Sequence, residues 1–140
     1  MTKIFTLLII LVLFSFKSIA QQNPQIRNCH IAGGEFITAN IKIGKTQDEI
    51  GLCQFDSAYV GAVDVIRFLD SQRNTKPMSF NEYANGEKLC SGQIALARIV
   101  DSELSFKVCI YPDQSIMDMP TLITGVFAEQ NFKLNTFLGL

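Results

Sequence analysis

A single histidine serves all 140 residues, and it stands directly after a cysteine, as Cys29-His30. That scarcity excludes much chemistry. Neighbours in sequence point apart, and a cysteine in an exported chain pairs, so a Cys-His nucleophilic dyad has little basis. Zinc needs several His or Cys ligands at short spacing, and neither C-x-x-C nor H-x-x-x-H occurs, so no metal is expected. There is no G-x-S-x-G elbow and no glycine-rich phosphate loop, and no cofactor is expected. Asp113, Ser115 and Asp118 echo a calcium loop without its Gly and closing Glu, and helix capping accounts for all three. Glu82 and Glu87 share a polar segment with no apolar pocket to raise a carboxyl pKa, so they read as solvated surface. The inventory points to a protein that binds and is not an enzyme.

A basic stripe is also missing. The chain carries 12 Lys and Arg against 13 Asp and Glu, which makes a nucleic-acid partner a poor fit, because phosphate contacts need clustered cations. The N-terminus supplies the compartment. Lys3, the apolar run from Leu7 to Phe14, and Ser18 and Ala20 around Ile19 read as a secretory signal peptide over residues 1–20, cut after Ala20. The stretch from Ile4 to Phe16 is shorter than the roughly 20 residues of a spanning helix, so no membrane attachment is expected after cleavage. Lys3 and Lys17 leave with the leader, and the 10 cations that remain against 13 acids give a formal charge of −3. Residues 21–140 then form a single periplasmic or secreted domain.

All four cysteines, Cys29, Cys53, Cys90 and Cys109, fall in that domain, where an oxidising compartment predicts two disulfides. Four cysteines allow three connectivities, and loop-closure entropy does not separate them.

The periodicity predicts a mainly α, disulfide-stapled helical domain with a long polar loop and room for a short extended segment. Residues 34–46 hover between helix and strand and lean to helix. Thr46 and Glu49 form a capping box, and Leu52, Phe55, Tyr59, Ala62, Val63, Ile66 and Leu69 keep helical spacing, so one long central helix is expected over 46–72. Gly61 would lie mid-helix, where another backbone passes close by. Residues 71–92 read as the long loop, QIALARIV as a short helix or buried strand, and SELSFKVCIY as extended. From Ser115 a helical pattern returns through Met119, Leu122, Ile123, Val126 and Phe127. The tail holds Phe132, Leu134, Phe137 and Leu138, which need a body or a second chain to cover them. Long loops in small domains carry function, and this one holds residue types enriched at interfaces. Arg73, Lys76, Met78, Phe80, Glu82 and Tyr83 are therefore the candidate partner contacts. The competing reading folds Met78, Phe80 and Tyr83 back as a satellite core.

The segments SAYVGAVDVI and KVCIYPDQSIMDMPTLITGVFAEQN resemble the periplasmic immunity proteins of type VI secretion amidase effectors, over roughly residues 35–131. The match falls on Cys53, Tyr59, Val60 and Gly61 in the first segment and on Cys109, Ile110, Pro112 and Ser115 in the second. The resemblance implies a helical periplasmic protein, commonly a homodimer, that occludes the catalytic cleft of a cognate peptidoglycan amidase and prevents self-intoxication. It also implies that Cys53 pairs with Cys109 to clamp two helices, leaving Cys29 with Cys90. The alternative function is a small periplasmic or secreted chaperone or ligand-binding protein.

Overall fold

Six antiparallel strands close into a barrel. A computed structural model describes residues 23–71 and 75–140 of the chain, so the expected leader lies outside the described residues. Helix α1 (Pro24–Ile31) leads into β1 (Glu35–Ile43), β2 (Thr46–Phe55), β3 (Ala58–Gly61) and helix α2 (Ala62–Leu69). Helix α3 (Met78–Ala84), β4 (Gln93–Ile99), β5 (Ser105–Ile110) and β6 (Ile116–Asp118) follow. Helix α4 (Met119–Thr124), a 3-10 turn at Glu129–Asn131 and helix α5 (Phe132–Leu138) end the chain.

The mainly α expectation is overturned, and the residues expected to form the long helix show why. Residues 46–55 and 58–61 are strands paired Leu52 to Gly61 through Phe55 to Ala58, and only Ala62–Leu69 is helical. Thr46 caps nothing; its hydroxyl donates to Ile43 O across the β1–β2 turn. Residues 35–43 are likewise a strand, in register with β2 from Glu35 opposite Gln54 to Ile43 opposite Thr46. Asp56 takes the left-handed conformation (φ 55°) that tightens the β2–β3 turn, a geometry Asp tolerates better than most residues.

The barrel wall separates two cores, one in its lumen and one packed on part of its outer face. Ala39, Ile41, Leu52, Ala95, Ala97 and Val108 fill the lumen with Ile37, Ile50, Tyr59 and Phe106 around them. Outside the wall, Cys53, Phe55, Val60, Cys109 and Met117 pack against Val65, Phe80, Tyr83, Leu122 and Leu134 of the helices. Phe55, Phe68, Phe80 and Phe137 form its aromatic centre, with ring centroids 5.0 to 6.3 Å apart. Each fully buried aliphatic or aromatic side chain adds about 1.5–3 kcal/mol relative to exposure.

The disulfides staple this helical shell to the barrel wall. Cys29 of α1 bonds Cys53 of β2, and Cys90 bonds Cys109 of β5, in place of the pairs Cys53 with Cys109 and Cys29 with Cys90. Cys53 and Cys109 both point out of the barrel, but they sit on strands separated by β3 and β6. Two disulfides fit an oxidising compartment. Among the described residues no helix is long and apolar enough to cross a membrane.

Gly61 turns out to be the N-cap of α2, and the group close to it is the Asp64 carboxylate of its own helix. A Cβ there would lie 2.2 Å from Asp64 Oδ2.

Candidate functional site

Tyr111 and Ser115 bracket a turn whose polar residues hold the start of α3 and Arg67 of α2. Asp113 Oδ1 accepts hydrogen bonds from Ser115 N (3.0 Å) and Ser115 Oγ (2.6 Å), and Oδ2 accepts from Met78 N (2.8 Å). Ser115 Oγ in turn accepts from Ser79 N at 3.0 Å. The capping role read from the sequence is therefore real for Asp113 and Ser115, but the helix they cap is the remote α3, whose own N-cap is Pro77 and offers no side-chain acceptor. Asp118 caps α4 directly: Oδ2 accepts from Thr121 N and Thr121 Oγ1, both at 2.9 Å, while Oδ1 holds Tyr59 N of β3 at 2.7 Å. Pro120 then sits in the first turn of α4, where no intrahelical donor is needed.

Asp64 and Arg67 complete this framework. Asp64 is buried and its Oδ2 accepts from Ile116 N at 2.8 Å. Its Oδ1 lies 3.7 Å from Arg67 Nη1, and Arg67 Nη2 reaches Asp113 Oδ2 at 3.2 Å. Burial pushes the Asp64 carboxyl up to about 7, against the opposing pull of the Ile116 amide and the Arg67 guanidinium. Asp113 goes the other way. Burial would raise it, but the Met78 and Ser115 donors and Arg67 hold it below the usual carboxylate range. Asp118 is raised by burial despite its amide partners.

Two carboxylates with diverging pKa values resemble an acid–base pair. Their geometry makes them a clamp, because backbone amides and Arg67 already occupy them. A cleft of about 550 Å³ opens beside them, lined also by Gln25, Glu49, Gly51 and Gln114. Among the described residues no group of three or more His, Cys, Asp or Glu side chains is placed to hold a metal ion.

The expected contact segment is largely a helix. Phe80 and Tyr83 are buried in the outer core and Met78 packs against it, so these three follow the satellite-core reading. The Tyr83 pKa is pushed up to about 12 by burial. Lys76 is exposed with Nζ 5.9 Å from the Phe68 ring centroid, and Glu82 accepts a hydrogen bond from Ser91 Oγ at 2.9 Å. Arg73 lies outside the described residues.

The surface that stands out lies further along. Helix α4 stops at Gly125 (φ 80°), a conformation that favours glycine, and the chain then turns through residues 126–130. Leu134, Phe137 and Leu138 pack against the outer core, as the tail's composition required. Phe127, however, is fully exposed (102%), and Phe132 (71%) and Ile123 (54%) are mostly so.

The segment that carries Phe127 is held from beneath by two asparagines. Asn131 Nδ2 donates to Gly125 O (2.8 Å), Thr124 Oγ1 (2.9 Å) and Thr121 O (3.3 Å), and Asn135 Nδ2 donates to Val126 O (2.6 Å). Tyr83 lies between the two amides and donates its hydroxyl proton to Asn135 Oδ1. One proton serves one acceptor, and Asn131 Oδ1 is left without a donor. The helical spacing of the sequence had placed Phe127 on a buried face; Gly125 was the signal that the helix ends first.

No family model, no curated protein and no solved structure matches this chain.

Proposed function

We propose that the chain is an exported immunity-type inhibitor that binds a peptidoglycan amidase effector and occludes its catalytic cleft. The observation that carries the binding reading is Phe127: a fully exposed aromatic on a segment fixed by Asn131 and Asn135 and by a disulfide-stapled scaffold. A rigid aromatic anchor loses little conformational freedom on association, and such anchors dominate interface energetics. Two disulfides suit a protein that works outside the cytoplasm. The choice of an amidase rests on the resemblance carried by Cys109, Ile110, Pro112 and Ser115.

The test is a titration, with the oxidised protein, of the purified product of the adjacent gene acting on peptidoglycan. Hydrolysis should fall linearly and vanish near one equivalent, and Phe127→Ala should weaken inhibition by about 2 kcal/mol or more in binding free energy. Full amidase activity at a large excess of the protein sinks the proposal.

A further inference from the structure

Strand β4 separates its two faces cleanly. Ala95 and Ala97 point into the lumen, while Ile94, Leu96 and Arg98 point outward and stay exposed. The ladder places Leu96 between Lys42 of β1 and Lys107 of β5, both exposed. Directly paired side chains in adjacent antiparallel strands lie about 5 Å apart, and the next on the same face about 7 Å. Three cations and two aliphatic side chains thus share one compact patch of barrel wall. Ile94 is 53% and Leu96 49% exposed. Arg98 is oriented by a hydrogen bond from Nε to Ser102 O at 3.2 Å, and a shallow concavity of about 700 Å³ runs from Lys42 past Leu96 to the β4–β5 turn.

Among the described residues none of Lys42, Arg98 and Lys107 is ion-paired; the pairs engage Arg67 and Lys133. In a chain whose acids outnumber its cations, three unpaired cations around an apolar centre leave a local field that an acidic surface would complement. Asp101 and Glu103 border the patch at the β4–β5 turn, which suits a protein partner with a mixed rim more than a uniformly anionic bilayer.

We infer that this face steers and orients an acidic protein surface, with Leu96 and Ile94 at the centre of contact. The inference rests on the reading of the chain as an amidase inhibitor and names a second contact region, on the barrel wall instead of the Phe127 turn. Electrostatic complementarity of this kind acts mainly on the association rate.

The experiment measures association and dissociation rates between the oxidised protein and the purified product of the gene adjacent to its own. Salt is set at about 10 mM and about 150 mM, where charges are screened beyond about 30 Å and 8 Å respectively. Combined Lys42→Glu, Arg98→Glu and Lys107→Glu changes should slow association at low salt about tenfold or more and leave dissociation within about threefold. Leu96→Ala should speed dissociation instead. All four positions are exposed, so thermal unfolding midpoints of these variants should match that of the natural protein, which certifies their folding. A complex whose association rate ignores the triple reversal overturns this inference and leaves the inhibitor reading standing. The absence of any complex overturns both. Co-flotation with phosphatidylglycerol vesicles, lost in the triple variant, also overturns it, because the occupant would then be a lipid surface.

Discussion

Replacing Asn131 by Asp changes one NH2 group for an oxygen at nearly constant shape, and the site makes that change severe. Asn131 is fully buried at the start of α5, and its amide group faces three acceptors, Gly125 O, Thr124 Oγ1 and Thr121 O. The substitution removes two donated protons, worth about 1 kcal/mol each net, and leaves a carboxylate oxygen against those acceptors. An uncompensated buried charge raises the expected loss to about 3–5 kcal/mol, a large part of the about 5–15 kcal/mol that holds a domain together. Urea unfolding of the oxidised protein at pH 7 measures it, alongside Asn131→Ala, which removes the donor without adding charge and should cost about 1–3 kcal/mol. Burial raises the introduced carboxyl's folded pKa above its unfolded value of about 3.9, so the folded state holds the proton more tightly. The deficit of Asn131→Asp is therefore present above the folded pKa and shrinks as the pH falls toward about 4. A loss under about 1 kcal/mol at pH 7, or one independent of pH, would refute the donor role of Asn131.

Other predictions follow from the same framework. Digestion without reduction should release the Cys29–Cys53 and Cys90–Cys109 peptides, and a Cys53–Cys109 peptide would contradict the fold; replacing either pair by Ala should cost about 3 kcal/mol in urea unfolding, given separations of 24 and 19 residues. Asp64 is raised to about 7 in the folded state, so its share of stability is greatest in acid and declines as pH rises toward 7. Asp64→Asn should flatten that decline by up to about 1.4 kcal/mol per pH unit, and parallel pH profiles for the two proteins would contradict it. Gly61→Ala should cost about 1–3 kcal/mol, because its Cβ would lie 2.2 Å from Asp64 Oδ2, and an unchanged urea midpoint would show that the carboxylate moves freely.

The barrel was hidden from sequence reading by its own double burial. Strands that face a lumen on one side and a helical shell on the other lose their alternation, so Leu52, Phe55 and Tyr59 fell by chance on a helical spacing. Thr46 and Glu49 completed the illusion of a capped helix, although Thr46 belongs to the β1–β2 turn. Elsewhere the pattern is readable: SFKVCI is a strand as expected, although Val108 and Cys109 face the two different cores, and Ala62–Leu69, the last part of the expected long helix, is helical. The alternation of Ile94, Leu96 and Arg98 with two alanines also marks a strand with one bare face, a signal that alanine's helix propensity blurs. Capping was legible chemically but not spatially. Asp113 and Ser115 carry cap residue types, yet the helix they serve lies 35 residues away in sequence. Phe80 and Tyr83 were candidates by residue type, and their burial follows from the outer core, which no local pattern announces.

The most direct measurement of the inhibitor proposal is lysis of cells that export the product of the adjacent gene, with and without the protein. Co-export of the natural protein should prevent lysis, deletion of residues 1–20 should abolish that protection, and Phe127→Asp should lose it while the protein still accumulates oxidised in the periplasm. Lysis that the natural protein fails to prevent, or protection that survives Phe127→Asp undiminished, would contradict it.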